Sequence, residues 1–134
     1  MAKLQTRAQA DLKRAAEAIS SLQRQSDGVK KNYLSRVKQF PALVMTVGLA
    51  QALAFSAEKA GKDSDLGKAH QKVLEHTAAI LGVSDALAAA QNADAAQYMH
   101  MTRRVLAAWV YYRRLAVSLL DPEGKLAAEG EDEA

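Results

Sequence analysis

Three histidines, His70, His76 and His100, are the first candidates for metal ligation or proton transfer in this 134-residue chain. His70 and His76 stand six positions apart, about 120° around a helix, so they do not share a face. A His-Glu-x-x-His pattern, which would set two imidazoles on one helix face, does not occur. Before Asp121 the carboxylates are scattered singly, without the pairing that general acid–base work uses. Gly48, Gly61, Gly67 and Gly82 are isolated, so no glycine-rich loop is available to cradle a phosphate. Ser20, Ser21 and Ser118 have no base nearby in the sequence. The chain has no cysteine, which excludes disulfides and thiolate metal sites and is compatible with a reducing compartment. The residues predict a protein that is not an enzyme, with no catalytic residues, no metal site and no cofactor.

The basic residues carry more information. Arg103 and Arg114 are eleven positions apart, about 20° from eclipsed on a helix, and Arg104 and Tyr111 lie together beside that line. At about 1.5 Å per residue they would form a stripe about 16 Å long. Arginines next to an aromatic ring suit a phosphate backbone with an unpaired base stacked beside it. The same spacing also describes a solvated face whose arginine stems cover apolar surface. Lys30, Lys31, Arg36 and Lys38 form a second cluster, open to the same two readings. The net charge of +3 hides an asymmetry. Asp121 onward holds six acids and one base, whereas the preceding 120 residues hold seventeen bases and nine acids. A basic body points to an anionic partner such as nucleic acid, or simply to solubility.

These groups need helices to position them. Alanine and leucine dominate the apolar residues, and the β-branched residues rarely cluster. Residues 3–25 carry Leu4, Ala8, Leu12, Ala15, Ile19 and Leu22 at three- and four-residue steps, which is one apolar helical stripe. Asp27-Gly28 marks a break. A short basic helix is expected over residues 29–39, ended by Pro41, which restricts Phe40 away from helical geometry. Pro41 then suits the first turn of a new helix running to about residue 60, with Gly48 inside it facing a closely approaching helix. Asp63 or Ser64 can cap a helix over 65–81 that buries Leu66, Ala69, Val73 and Ile80. Ser84 can cap a short helix over 85–91. Asn92 or Asp94 can cap the last one, which runs to Leu120 with Tyr98, Met101, Val105, Ala108, Tyr112, Leu115 and Leu119 along one side. That helix is apolar around much of its circumference and should be central. The expected fold is all-α: a compact bundle of about five to six helices over residues 1–120, with a long central C-terminal helix. An acidic, disordered tail is expected over 121–134. Residues 1–12 lack the apolar core of a signal peptide, and residues 40–57 are too short and too polar to span a bilayer. The expected location is cytoplasmic, with no membrane partner.

Lys38-Gln39-Phe40-Pro41-Ala42-Leu43, leading into Thr46-Val47-Gly48-Leu49-Ala50-Gln51-Ala52-Leu53-Ala54-Phe55, resembles the small subunit of the type III-B CRISPR–Cas effector, the Cmr complex. The basic segment ending at a proline, the Gly-Leu-x-x-x-Leu-Ala-Phe core and the long closing helix are shared over residues 3–120. The acidic tail lies outside the likeness. The resemblance implies a non-catalytic subunit that stacks with copies of itself in a filament, beside other Cmr subunits. It implies partners in guide RNA and target RNA, and a role in antiviral defence. Lys30, Lys31, Arg36, Lys38, Arg103, Arg104 and Arg114 are the expected nucleic-acid contacts. The alternatives are the small subunit of the type III-A complex and a helical protein-interaction module with no nucleic-acid role.

Overall fold

The computed structural model describes residues 4–126. Among these, six helices and no strand are found: α1 (Arg7–Leu22), α2 (Asp27–Val47), α3 (Leu49–Ala60), α4 (Asp65–Leu81), α5 (Ala86–Asn92) and α6 (Ala95–Leu120). Short polar side chains start most of them. Thr6 and Gln9 form a reciprocal capping box on α1, as Asp94 and Gln97 do on α6. Ser26, Ser64 and Asp85 each accept a backbone N–H at the start of α2, α4 and α5. The all-α bundle with a long C-terminal helix is as expected.

The course of α2 is not. The sequence predicts a boundary at Pro41, yet α2 continues through it to Val47. A proline in a helix interior leaves the carbonyl four residues earlier without its N–H donor. Here that carbonyl belongs to Val37, and Trp109 Nε1 donates to it at 2.9 Å. The bond spans 72 positions of sequence, which is why no local pattern reveals it. The break falls at Gly48, whose φ of 90° and ψ of 159° suit glycine almost alone. Gly48 N donates to Val44 O, closing α2, and Gly48 O accepts from Ala52 N, opening α3. Gly48 therefore divides two helices instead of lying inside one. The expected close approach is present: a Cβ at this position would lie 3.0 Å from Tyr98 Oη, which also accepts from Ala50 N at 2.9 Å.

The core is built mainly from α1, α2, α4 and α6, with α3 seated on α4. Trp109, Tyr112 and Tyr33 are its largest fully buried side chains. Trp109 stacks on Tyr112 at 5.4 Å and meets Phe40 at 4.7 Å. α2 and α6 run antiparallel, since Val37 and Phe40 meet Trp109 while Gly48 meets Tyr98. The apolar stripe of α1 is displaced from its predicted line. Asp11, Ala15, Ile19 and Leu22 are buried, whereas Leu4, Ala8 and Leu12 are exposed. Leu66 on α4 is exposed as well. α6 is central without being enclosed: α1, α2 and α4 cover one side, and Met99, Val110 and Val117 face outward.

After α6 the chain turns back. Buried Asp121 accepts from Leu126 N at 3.0 Å, and Leu126 packs on the core edge. Residues 127–134, which complete the acidic tail, lie outside the described residues. No single helix among the described residues is long and apolar enough to cross a membrane.

Candidate nucleic-acid interface

Charge is segregated along the two antiparallel helices. α6 carries Arg103, Arg104, Arg113 and Arg114 and not one carboxylate across 26 residues. α2 carries Lys30, Lys31, Arg36 and Lys38 against a single acid, Asp27, in its first turn. Within α6 no acid offsets the arginines, and within α2 a single acid faces four bases.

The structure separates the seven candidate residues. Arg103 and Arg114 project outward from α6. Arg114 joins Arg113, Val110, Val117, Leu106 and Pro41 around a groove of about 460 Å³ between α6 and the Pro41 turn of α2. Val110 is 51% exposed in this setting, so the face is apolar along its middle and basic at its edges. Arg113 was missing from the expected set. Its signal was its spacing, three residues from Val110 and seven from Leu106, which places it on the same outer face.

Arg104 turns the other way. Its Nη1 donates to Asp11 Oδ2 at 2.8 Å and its Nη2 to Asp11 Oδ1, a two-pronged bond that ties α6 to α1. Asp11 is only 2% exposed and Arg104 13%, so this charge is committed inside the protein. Arg14 Nη1 adds a third member, 3.5 Å from Asp11 Oδ1. The sequence signal for this contact was an acid four residues before Ala15 and eight before Ile19, on the buried stripe itself.

The lysine cluster of α2 is also divided. Lys30 pairs with Asp27 at 3.3 Å and keeps 19% of its side chain exposed. It borders a shallow depression that also contains Asp121 and Glu123, at the opposite end of α2 from the groove. Lys31 and Lys38 are half-buried along α2. Arg36 sits on another side, facing α3 and α4, where desolvation lowers its pKa from the ordinary arginine value.

His70 and His76 are packing groups. His76 Nδ1 and Tyr33 Oη share a 2.7 Å hydrogen bond, and burial, followed by repulsion from Lys72, lowers the His76 pKa to about 4. His70 Nδ1 and Ser56 Oγ share one of 3.1 Å, and burial together with Arg36 and Lys59 brings its pKa to about 4. Both imidazoles are neutral near pH 7. Among the described residues no cluster of His, Asp or Glu could hold a metal ion.

A small all-helical bundle with one open, arginine-edged face is thus the class of protein that the fold and its charges define. Residues 7–119 match the family model of the CRISPR-associated protein Cmr5. A curated relative from Thermus thermophilus, the CRISPR system Cmr subunit Cmr5, is 32% identical over 121 residues, covering 88% of this chain and 99% of its own. The crystal structure of a CRISPR-associated Cmr5 family protein from the same organism superposes with a TM-score of 0.74 at 30% identity. It covers 88% of this chain and 100% of that one. The chain belongs to the Cmr5 family, the small subunit of the type III-B Cmr complex.

Proposed function

We propose that this chain is a non-catalytic structural subunit of a cytoplasmic Cmr effector engaged in antiviral defence. It stacks on copies of itself and other Cmr subunits and lines the path of guide and target RNA. The carrying observation is the outer face of α6, where Arg103, Arg113 and Arg114 are exposed and the helix has no acid. Such arginines bind phosphates without reading sequence, as a subunit serving any guide requires. The apolar residues between them, Met99, Val110 and Val117, suit contact with a neighbouring protein along the same face.

Two measurements test this. Tagged protein recovered from its native cell should bring guide RNA and backbone Cmr subunits with it, and recovery of neither refutes the reading. In assembled complexes, the triple change Arg103→Glu, Arg113→Glu and Arg114→Glu should weaken target-RNA binding and flatten its dependence on salt. Each lost phosphate contact should remove about 0.7–0.9 from the logarithmic slope. Unchanged affinity at low and high salt would reduce the arginines to a solvated surface.

A further inference from the structure

A second cavity opens on the other side of α2, away from the arginine face. Phe40, Leu43, Phe55, His70 and Val73 form its walls, Arg36 and Gln39 lie at its edge, and its volume is about 330 Å³. That is at the small end of ligand pockets and ample for one nucleobase. No carboxylate lines it.

The position of Arg36 is unusual. Its Nη2 donates to Gln39 Oε1 at 2.6 Å and to Ser35 Oγ at 3.3 Å, both neutral groups. Its Nε is buried with no acceptor, and it forms no ion pair with any described acid. A half-buried guanidinium without a counter-charge is costly, and a missing hydrogen bond to a charged group costs more than one to a neutral group. Asp11, by contrast, binds two arginines elsewhere in the same protein. Lys59 adds a second cation beside Phe55, its Nζ 5.7 Å from the centroid of the ring. Phe55 is 38% exposed and meets His70 edge-on at 5.5 Å. Uncompensated positive charge, an exposed ring, an apolar cavity and an amide at its edge therefore converge on one opening.

We propose that this pocket receives one unpaired nucleotide of an RNA strand. The base enters against Phe55, the Arg36 guanidinium and the Gln39 amide meet its polar edge, and Lys59 meets the phosphate. The proposal rests on the RNA reading above but uses a different face of the protein.

Binding of the four ribonucleoside monophosphates to the full-length chain can be followed through the Phe55 and His70 ring resonances. Saturable shifts are expected with the nucleotides and not with ribose 5-phosphate, which lacks the base. Phe55→Ala should weaken binding by fivefold or more, since stacking of a base on an aromatic side chain is worth about 1–3 kcal/mol. Arg36→Gln should weaken it as well, while the circular dichroism spectra of both variants stay native. Absence of saturable shifts, or affinity unchanged in Phe55→Ala, overturns the pocket. Binding of phenylacetate as tight as that of the nucleotides also overturns it, in favour of an acidic protein side chain. Single-stranded RNA titrated by anisotropy separates the two readings. RNA binding that depends on Arg103, Arg113 and Arg114 alone sinks the pocket and spares the main proposal. Nucleotide shifts in a protein whose assembled complex ignores those arginines support the pocket and sink the arginine face.

Discussion

Replacing Trp109 by phenylalanine tests how α2 passes through Pro41. The indole N–H is the donor to Val37 O, in the place where residue 41 would donate if it were not proline. Trp109→Phe strands that buried carbonyl, at about 1–3 kcal/mol. It also removes roughly 40 Å³ from a fully buried site, worth about 1 kcal/mol at about 24 cal/mol per Å³. The expected loss is about 2–4 kcal/mol, read from urea unfolding followed by circular dichroism with an unchanged m-value. Pro41→Ala supplies a new backbone N–H to the same carbonyl. In the Trp109→Phe background it should therefore stabilise by about 1 kcal/mol more than in the wild type. If the coupling stays below about 0.5 kcal/mol, the size expected of independent sites, the indole is not what carries the helix through the proline.

Other substitutions read other parts of the fold. Asp11→Ala leaves Arg104 largely buried without its partner and should cost about 3 kcal/mol in the same unfolding experiment, whereas Arg103→Gln should cost less than about 0.5 kcal/mol. Equal effects would place both arginines in the same environment. Gly48→Ala forces a side chain into a positive-φ conformation beside Tyr98 Oη and should cost about 1–3 kcal/mol, and a neutral outcome would mean that the α2–α3 junction differs from this one. Stability should also fall with acid before the carboxylates titrate. His70 and His76 stay neutral in the folded protein to about pH 4, while in the unfolded chain they protonate near 6.5. Unfolding therefore takes up protons as pH falls through this window, at up to about 1.4 kcal/mol per pH unit for each histidine. Unfolding midpoints that do not change between pH 6.5 and 5 would show that the two imidazoles are not buried as neutral groups.

Much of this protein was legible as a string. Helix starts within one or two residues of Ser64 and Asp94, the end of α4 at Gly82 and the length of α6 follow from hydrogen bonding within a few residues, and local sequence encodes local bonding. The basic body and acid-free final helix are compositional, and the Gly48–Phe55 run carried the family resemblance. What the sequence alone could not settle depends on partners far along the chain. Pro41 looks like a helix end until Trp109 supplies the missing donor. Arg103 and Arg104 are neighbours of one residue type, yet 100° of helical rotation sends one outward and the other to Asp11, 93 positions away. Asp11 itself lies on an otherwise apolar stripe, and its role becomes visible only when α1 packs on α6. The same holds for Arg36. Spacing placed it in a lysine-rich surface cluster, and the packing of α2 against α3 and α4 set it instead at an apolar pocket without a counter-charge. Helix periodicity thus determined which residues share a face, and only tertiary packing decided which faces meet and which charges remain free to bind.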